Sequence, residues 1–201
     1  MRAVVVVLVL ALLSQVAVSA PSGIGKSGNE GCLCHGDKDQ STTVRVEGLP
    51  ESYESNTLYN FSITVESETV AAKPNGSIGG FRMLVAGGAI SFDDSAGLIQ
   101  ELDGGWTHTE SGNMVRSWNL SFVSPEDNTS YVDFMVYGNA VNGNQASSED
   151  AWNSFSFRLA GVEYDGEIFS DQADGFSPMD YTVGLVSMIA LVGLLVITLR
   201  D

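Results

Sequence analysis

Both cysteines of the chain and one of its two histidines lie within four consecutive positions, Cys32-Leu33-Cys34-His35, in the segment GNEGCLCHGDKD. Thiolate and imidazole are the side-chain ligands that copper and zinc prefer. Three adjacent ligands rarely complete a tetrahedral shell, so a fourth ligand has to come from elsewhere in the chain. The segment therefore predicts a copper or zinc site that folding completes.

The same motif allows three other interpretations. Covalent haem attachment uses C-x-x-C-H, in which both thiols bind the vinyl groups and the histidine is an axial ligand, but one spacer residue is missing here. A Cys32–Cys34 disulfide fits an oxidising compartment, although so small a ring is strained and stabilises the fold little. In the last interpretation Cys32, Cys34 and His35 bind nothing and lie in a flexible leader.

The second histidine, His108, lies in GGWTHTESG, a composition typical of a polar turn. We therefore do not expect it to pack in the core. The simplest hypothesis is that His35 and His108 bind one centre together with Cys32 and Cys34. In a haem site, two axial histidines leave no open coordination position, which favours electron transfer.

The two ends of the chain predict export and anchoring. Residues 1–20 have one basic residue, an apolar core and small residues before Pro21, as in a signal peptide cleaved after Ser19 or Ala20. Residues 181–199 contain no charge, and as a helix they would be about 28 Å long, which predicts a single transmembrane anchor. We expect the remainder to be extracytoplasmic, with a Gly-rich leader at 21–41 and an acidic stalk at 163–180.

Residues 42–162 alternate apolar and polar side chains, the period of half-buried strands. We expect strands in TVRVEGL, LYNFSITVE, FRMLVAGGAISF, VRSWNLSFV, YVDFMVYG and WNSFSFRLAG, separated by Gly, Asn, Ser and Pro turns. The pattern predicts an all-β antiparallel sandwich of the immunoglobulin type. Its expected core is Phe61, Phe81, Trp118, Phe122, Phe134, Trp152 and Phe157.

The composition restricts the function further. With 25 acidic and 9 basic residues the chain carries a formal charge of −16, which argues against nucleic acid as a partner. Four Asn-x-Ser/Thr sequons fit a glycosylated surface: Asn60, Asn75, Asn119 and Asn128.

No phosphate loop, nucleophile elbow or H-E-x-x-H motif is present in the sequence, so an enzyme is the less favoured class of protein. VNGNQASSEDAWN offers oxygen donors for calcium on Asn142, Asn144, Glu149 and Asp150, with a solvated turn as the alternative.

GCLCHG, GGFRMLVAGG, WTHTESG, SWNLSF and GNAVNGNQASSEDAWN occur in this order over residues 31–160. In this the chain resembles exported proteins with the choice-of-anchor V domain, which is similar in outline to the reeler β-sandwich. The resemblance implies a Cys/His motif of the haem-attachment type near the start of the domain, and the shorter motif found here looks like the archaeal version. It also implies that His108 is the candidate partner of this motif. The tail DGFSPMDYTVG…ITLRD resembles archaeal sorting tails, which implies lipid anchoring after C-terminal processing as an alternative to a retained helix.

Two functional hypotheses follow. In the first, a membrane-anchored sandwich carries a haem c-like or metal centre at Cys32, Cys34, His35 and His108 for electron transfer or metal handling, with a redox partner at the cell surface. In the second, the sandwich is a cofactor-free module for surface interaction or adhesion, with Cys32 and Cys34 joined as a disulfide.

Overall fold

A computed structural model of the chain describes residues 20–32, 36–73, 76–144, 148–172 and 178–200. The chain divides into two units, Val18–Ala173 and a second that combines Met1–Ala17 with Asp174–Asp201. The first unit holds all the strands that the structure describes. In chain order they are β1 Asp37–Lys38, β2 Thr42–Glu47, β3 Ser52–Tyr53, β4 Leu58–Ser67, β5 Gly79–Val85, β6 Ala89–Ser91, β7 Ile99–Leu102, β8 Gly105–His108, β9 Ser117–Val123, β10 Tyr131–Ala140, β11 Ala151–Gly161 and β12 Ser170–Gln172.

The strands form two sheets. The larger has the order β1-β11-β10-β5-β8-β7, with β3 and β12 also pairing with β11, and the smaller has the order β2-β4-β9-β6. The long pairings β10–β11, β5–β10, β2–β4 and β4–β9 are antiparallel, whereas the short strands β1 and β3 run parallel to β11. The predicted all-β fold of antiparallel sheets is therefore confirmed.

The core lies between the sheets because alternate residues of each long strand point inward. Phe61, Phe81, Trp118, Phe122 and Phe134 are all buried in it, as the alternation predicts. The prediction was less accurate for the other two aromatic residues of the expected core. Phe157 is only partly buried against this core, and Trp152 belongs to a separate small cluster with Cys32 and Tyr137.

The hairpin β7–β8 was not predicted, and the expectation that His108 lies in a polar turn was wrong. His108 is the last residue of β8, pairs with Ile99, and is only 8% exposed. The two strands meet at Asp103-Gly104, which both have positive φ (50° and 70°), the conformation of a two-residue hairpin turn. The run Gly-Gly-Trp-Thr does not alternate apolar and polar side chains clearly, so the sequence does not indicate β8. The Asp-Gly pair before it is nevertheless a hairpin signal.

A helix α1 spans Pro178–Arg200, so the expected C-terminal helix is present. Within the described residues, however, no helix meets the length and apolarity needed to cross a membrane, so the predicted transmembrane anchor is not supported. The predicted signal peptide lies outside the described residues, apart from Ala20. The segment predicted as a stalk contains β12, which pairs with β11.

Candidate functional site

One cavity brings together two of the residues singled out from the sequence. It has a volume of about 70 Å³ and lies where the start of the leader passes the beginning of β5, the end of β8 and the end of β10. Its apolar wall includes Ile24, Phe81 and Val141. Its polar lining includes Cys32, His108, Asn113 and Asn139. A cysteine and a histidine that are far apart in the sequence thus share one small, largely apolar cavity.

Cys32 is fixed by packing against the larger sheet. It is 7% exposed and clusters with Tyr137 of β10 and Trp152 of β11. The hydroxyl of Tyr137 donates a hydrogen bond of 2.6 Å to the carbonyl of Asn29, which holds the leader against β10. Burial raises the pKa of Tyr137, and the charges of Cys32 and Glu30 raise it further. These effects disfavour the ionised form of Tyr137 beside the buried Cys32.

Two glycines flank the cysteine–histidine motif for steric reasons. Gly31 has a φ of +122°, and a Cβ there would lie 2.5 Å from the Trp152 ring. Gly36 has a φ of +65° and passes directly against the backbone of Asp150. Immediately afterwards β1 pairs with β11. The chain is thus held to the sheet on both sides of the motif, while Cys34 and His35 themselves lie outside the described residues.

His108 is held by the backbone of the neighbouring strand. The N–H of Phe81 donates to its Nδ1 at 3.2 Å, and the carbonyl oxygen of Phe81 lies 3.3 Å from the same nitrogen. On the other side of the ring, Nε2 lies 3.3 Å from the carbonyl oxygen of Ala20. Gly80 allows this packing, because a Cβ there would lie 2.8 Å from Cε1 of the ring. The imidazole therefore has a fixed plane, with Nε2 directed toward the leader.

Two amide side chains of the cavity were missed by the sequence analysis. Asn113 is 5% exposed and Asn139 is 7% exposed. Among the described residues, neither Oδ1 atom accepts a hydrogen bond, although both are buried. Buried polar atoms are nearly always paired, because leaving one unsatisfied costs about 1–3 kcal/mol. Both residues line the cavity, and no sequence pattern signals this arrangement.

Arg82, a further residue that the sequence analysis missed, attaches the leader to the sandwich. Its side chain is fully buried in the larger sheet. It donates to Asn29 Oδ1 at 3.0 Å, to the Leu102 carbonyl at 2.6 Å and to the Asp103 carbonyl at 3.2 Å. A longer contact of 3.4 Å reaches the carbonyl of Ile24. Burial lowers the pKa of Arg82, and the charge of Asp103 opposes this effect.

The donors that the described residues supply are few but of several types. Nowhere in the described part of the chain do three or more His, Cys, Asp or Glu side chains form a group that could hold a metal ion. A metal in this cavity would need Cys32 and His108 together with amide, carbonyl or amine donors, or with Cys34 and His35. Thiolate, imidazole and a weak oxygen donor are the ligand types of copper electron-transfer sites.

The loop predicted to bind calcium is closed by its own hydrogen bonds. Asp150 Oδ1 accepts from the Asn142 N–H at 3.0 Å, and Asn142 Oδ1 accepts from the Asn144 N–H at 2.9 Å. The Asn142 amide also donates to the carbonyls of Ser148 and Glu149. These oxygens have structural roles in the turn, and calcium binding stays a prediction.

No protein-family model matches the chain, and no curated protein is significantly similar to it. Solved structures with a similar arrangement include the reeler domain of human F-spondin, which is 15% identical over 62% of this chain and 94% of that chain, with a TM-score of 0.39. A conjugative transposon lipoprotein from Bacteroides eggerthii is 14% identical over 64% of this chain and all of that chain, with a TM-score of 0.35. A conjugate transposon protein from Bacteroides vulgatus is 12% identical over 65% of this chain and 94% of that chain, with a TM-score of 0.38.

Proposed function

We propose that this chain is an exported β-sandwich protein that binds a single metal ion, preferentially copper, in the cavity lined by Cys32 and His108, and that the ion serves electron transfer. One observation carries the proposal: Cys32, His108, Asn113 and Asn139 line the same cavity, and the Oδ1 atom of each asparagine is buried without a donor among the described residues. A cation would give these side chains a common partner, because a thiolate, an imidazole nitrogen and an amide oxygen can each donate an electron pair to it.

The size of the cavity favours an ion over haem. A volume of about 70 Å³ has room for a few water molecules, since about 10–15 Å³ of such space is enough for one. A porphyrin is much larger, so haem binding at His108 would require the leader to leave the sandwich. That movement would break the hydrogen bonds of Arg82 and Tyr137 to the leader.

The donor types of the described cavity favour copper, whereas Cys32, Cys34, His35 and His108 together would make the Cys₂His₂ set of a zinc site. Structural zinc sites are closed by four cysteine or histidine ligands, whereas copper electron-transfer sites combine one thiolate and two imidazoles with a weak axial oxygen or sulfur. Cys32 and His108 would supply two of these ligands, His35 a third, and Asn113 or Asn139 the weak oxygen. The apolar wall of Ile24, Phe81 and Val141 would exclude water, which tunes the potential of such a site.

Export and membrane attachment belong to the same proposal. The charge pattern of residues 1–20 supports a signal peptide. The apolar side chains of α1 are exposed, among them Val183, Ile189 and Ile197, and an apolar surface of this size needs an apolar partner. We therefore assign α1 to membrane association, with lipid replacement of the tail as the alternative. Alkaline carbonate extraction separates an embedded or lipid-anchored protein, which stays with the membrane, from a peripheral one.

The experiment uses the full precursor, expressed in a host that exports it, and compares metal content and visible absorption after addition of Cu(II). We expect one copper per chain and a thiolate-to-copper charge-transfer band. Both should be lost in Cys32→Ser and His108→Ala. Asn128→Ala is the matched control, because Asn128 also has a buried Oδ1 without a partner among the described residues but does not line the cavity.

The other hypotheses predict different results. A Soret band in protein made with a cytochrome-maturation system would favour haem. Protein that binds neither copper, zinc nor haem stoichiometrically would refute the metal centre and favour the cofactor-free interaction module with a Cys32–Cys34 disulfide.

A further inference from the structure

The start of the leader is part of the cavity. Ala20 and Pro21 both line it. The Ala20 carbonyl oxygen lies 3.3 Å from His108 Nε2, and the Pro21 carbonyl accepts a hydrogen bond of 3.0 Å from the Asn113 amide. The Ser22 carbonyl accepts from the Gln100 amide. Three consecutive residues are thus fixed at the cavity by side chains of the sandwich.

Cleavage after Ser19, one of the two positions expected from the sequence, would make Ala20 the first residue of the mature protein. We propose that the α-amino group of Ala20 then becomes a ligand of the same metal ion as His108. This inference rests on the proposed function, because it concerns the same ion and requires export.

The position of Ala20 fits such a ligand. Two donors bound to one ion at about 2.0–2.2 Å and at a right angle are roughly 3 Å apart. The Ala20 oxygen and His108 Nε2 are 3.3 Å apart, so they match two neighbouring positions on one ion. The amine nitrogen and the carbonyl oxygen of a first residue form a five-membered chelate ring, so an ion at the Ala20 oxygen is within reach of its amine.

The surroundings of His108 allow the required tautomer. As the ring stands, Nδ1 accepts from the Phe81 N–H, so Nε2 carries the proton and donates it to the Ala20 oxygen. An ion at Nε2 displaces that proton to Nδ1, which lies 3.3 Å from both the Phe81 carbonyl oxygen and the Thr107 hydroxyl, and the Phe81 N–H then gives up its hydrogen bond to this nitrogen. Ligating histidines usually donate their second N–H to such an acceptor. Thr107, which donates to the same oxygen at 2.7 Å, helps to fix its position.

The amine and the carbonyl oxygen of Ala20 add two donors to the side chains of Cys32 and His108, so four donors come from described residues alone. The proposal therefore predicts that the site is completed by signal-peptide removal and that the uncleaved precursor binds copper more weakly than the mature protein.

The test combines isotope labelling with a one-residue shift of the terminus. The full precursor is expressed in an exporting host with ¹⁵N-alanine, and intact mass spectrometry identifies the first residue. In the variant, one glycine is inserted between Ser19 and Ala20, which moves the amine outward and leaves every side chain unchanged. Ala20→Ser is the control, because it keeps both the amine and the carbonyl. Copper affinity is measured by competition, and the nitrogen ligands by electron paramagnetic resonance.

We expect Ala20 as the first residue, a ¹⁵N-dependent change in the copper hyperfine pattern, and a weakening of copper binding by about ten- to a hundredfold on insertion. Ala20→Ser should bind like the parent. A thiolate–copper band with neither an isotope effect nor an insertion effect would overturn this inference and leave the proposed function intact. A different first residue would overturn it as well. Absence of copper binding in all variants would overturn both.

Discussion

Arg82 gives the sharpest prediction about how the leader is held. In Arg82→Met the apolar part of the side chain is kept, and the guanidinium that donates to Asn29, Leu102 and Asp103 is lost. The three acceptors lose a charged donor in a fully buried position. The same change at Arg45 is the matched control, since that side chain is 53% exposed and makes a surface ion pair of 3.1 Å with Glu66.

The magnitude follows from the three hydrogen bonds of 3.2 Å or less. A buried acceptor that loses its partner costs about 1–3 kcal/mol, and removing a buried charge returns part of its desolvation cost. We therefore take the lower end for each bond and expect a loss of about 3 kcal/mol in the free energy of unfolding. Arg45→Met should lose less than about 1 kcal/mol, because exposed ion pairs contribute little.

Urea denaturation measures the free energy of unfolding of both variants. Limited trypsin cleavage after the exposed Lys26 measures separately how readily the leader opens. Local opening of the leader should accelerate that cleavage at least about tenfold in Arg82→Met and leave it unchanged in Arg45→Met. Equal stabilities of the two variants, or unchanged cleavage at Lys26, would refute the role of Arg82 in holding the leader.

Two further predictions concern the surroundings of the cavity. Gly80→Ala should displace the His108 ring, lower the free energy of unfolding by about 1–3 kcal/mol and weaken copper binding. Gly76→Ala should change neither property, because among the described residues its Cβ would meet only Gly143, at an ordinary 3.7 Å. Equal behaviour of the two variants would contradict the packing described for His108. Because the pKa of Tyr137 is raised in the folded state, its contribution to stability should be fully present below about pH 10, the value of an unperturbed tyrosine, and be lost as the pH rises through the folded pKa. Urea titrations should therefore show a steeper alkaline loss in the parent than in Tyr137→Phe, and parallel curves would contradict this assignment.

The sequence predicts the sandwich well because its long strands obey a simple alternation. β4, β9 and the first half of β10 show the period of two, and their large aromatic residues follow it into the core. Trp152 is out of phase with Phe155, Phe157 and Leu159 of the same strand, and it packs instead with Cys32 and Tyr137 in a separate cluster. Alternation identifies a buried face and does not identify which residues cover it.

The candidate site was only partly predictable for the same reason. The residue types of Cys32 and His108 indicate metal chemistry. The polar residues next to His108 resemble a turn, however, so the sequence did not predict that His108 lies in a strand. Asn113 and Asn139 resemble ordinary loop and strand residues, and only the fold shows that both line one cavity and that their Oδ1 atoms are buried. The path of the leader depends on hydrogen bonds to Arg82 and Tyr137, which are long-range contacts without a local signal.

X-ray absorption at the copper edge of the loaded, exported protein tests the central claim most directly. We predict one sulfur ligand together with imidazole nitrogen in the copper coordination shell. The sulfur contribution should disappear in Cys32→Ser, and the imidazole contribution should fall in His108→Ala. A copper environment of nitrogen and oxygen alone, or one that neither substitution changes, would contradict the account.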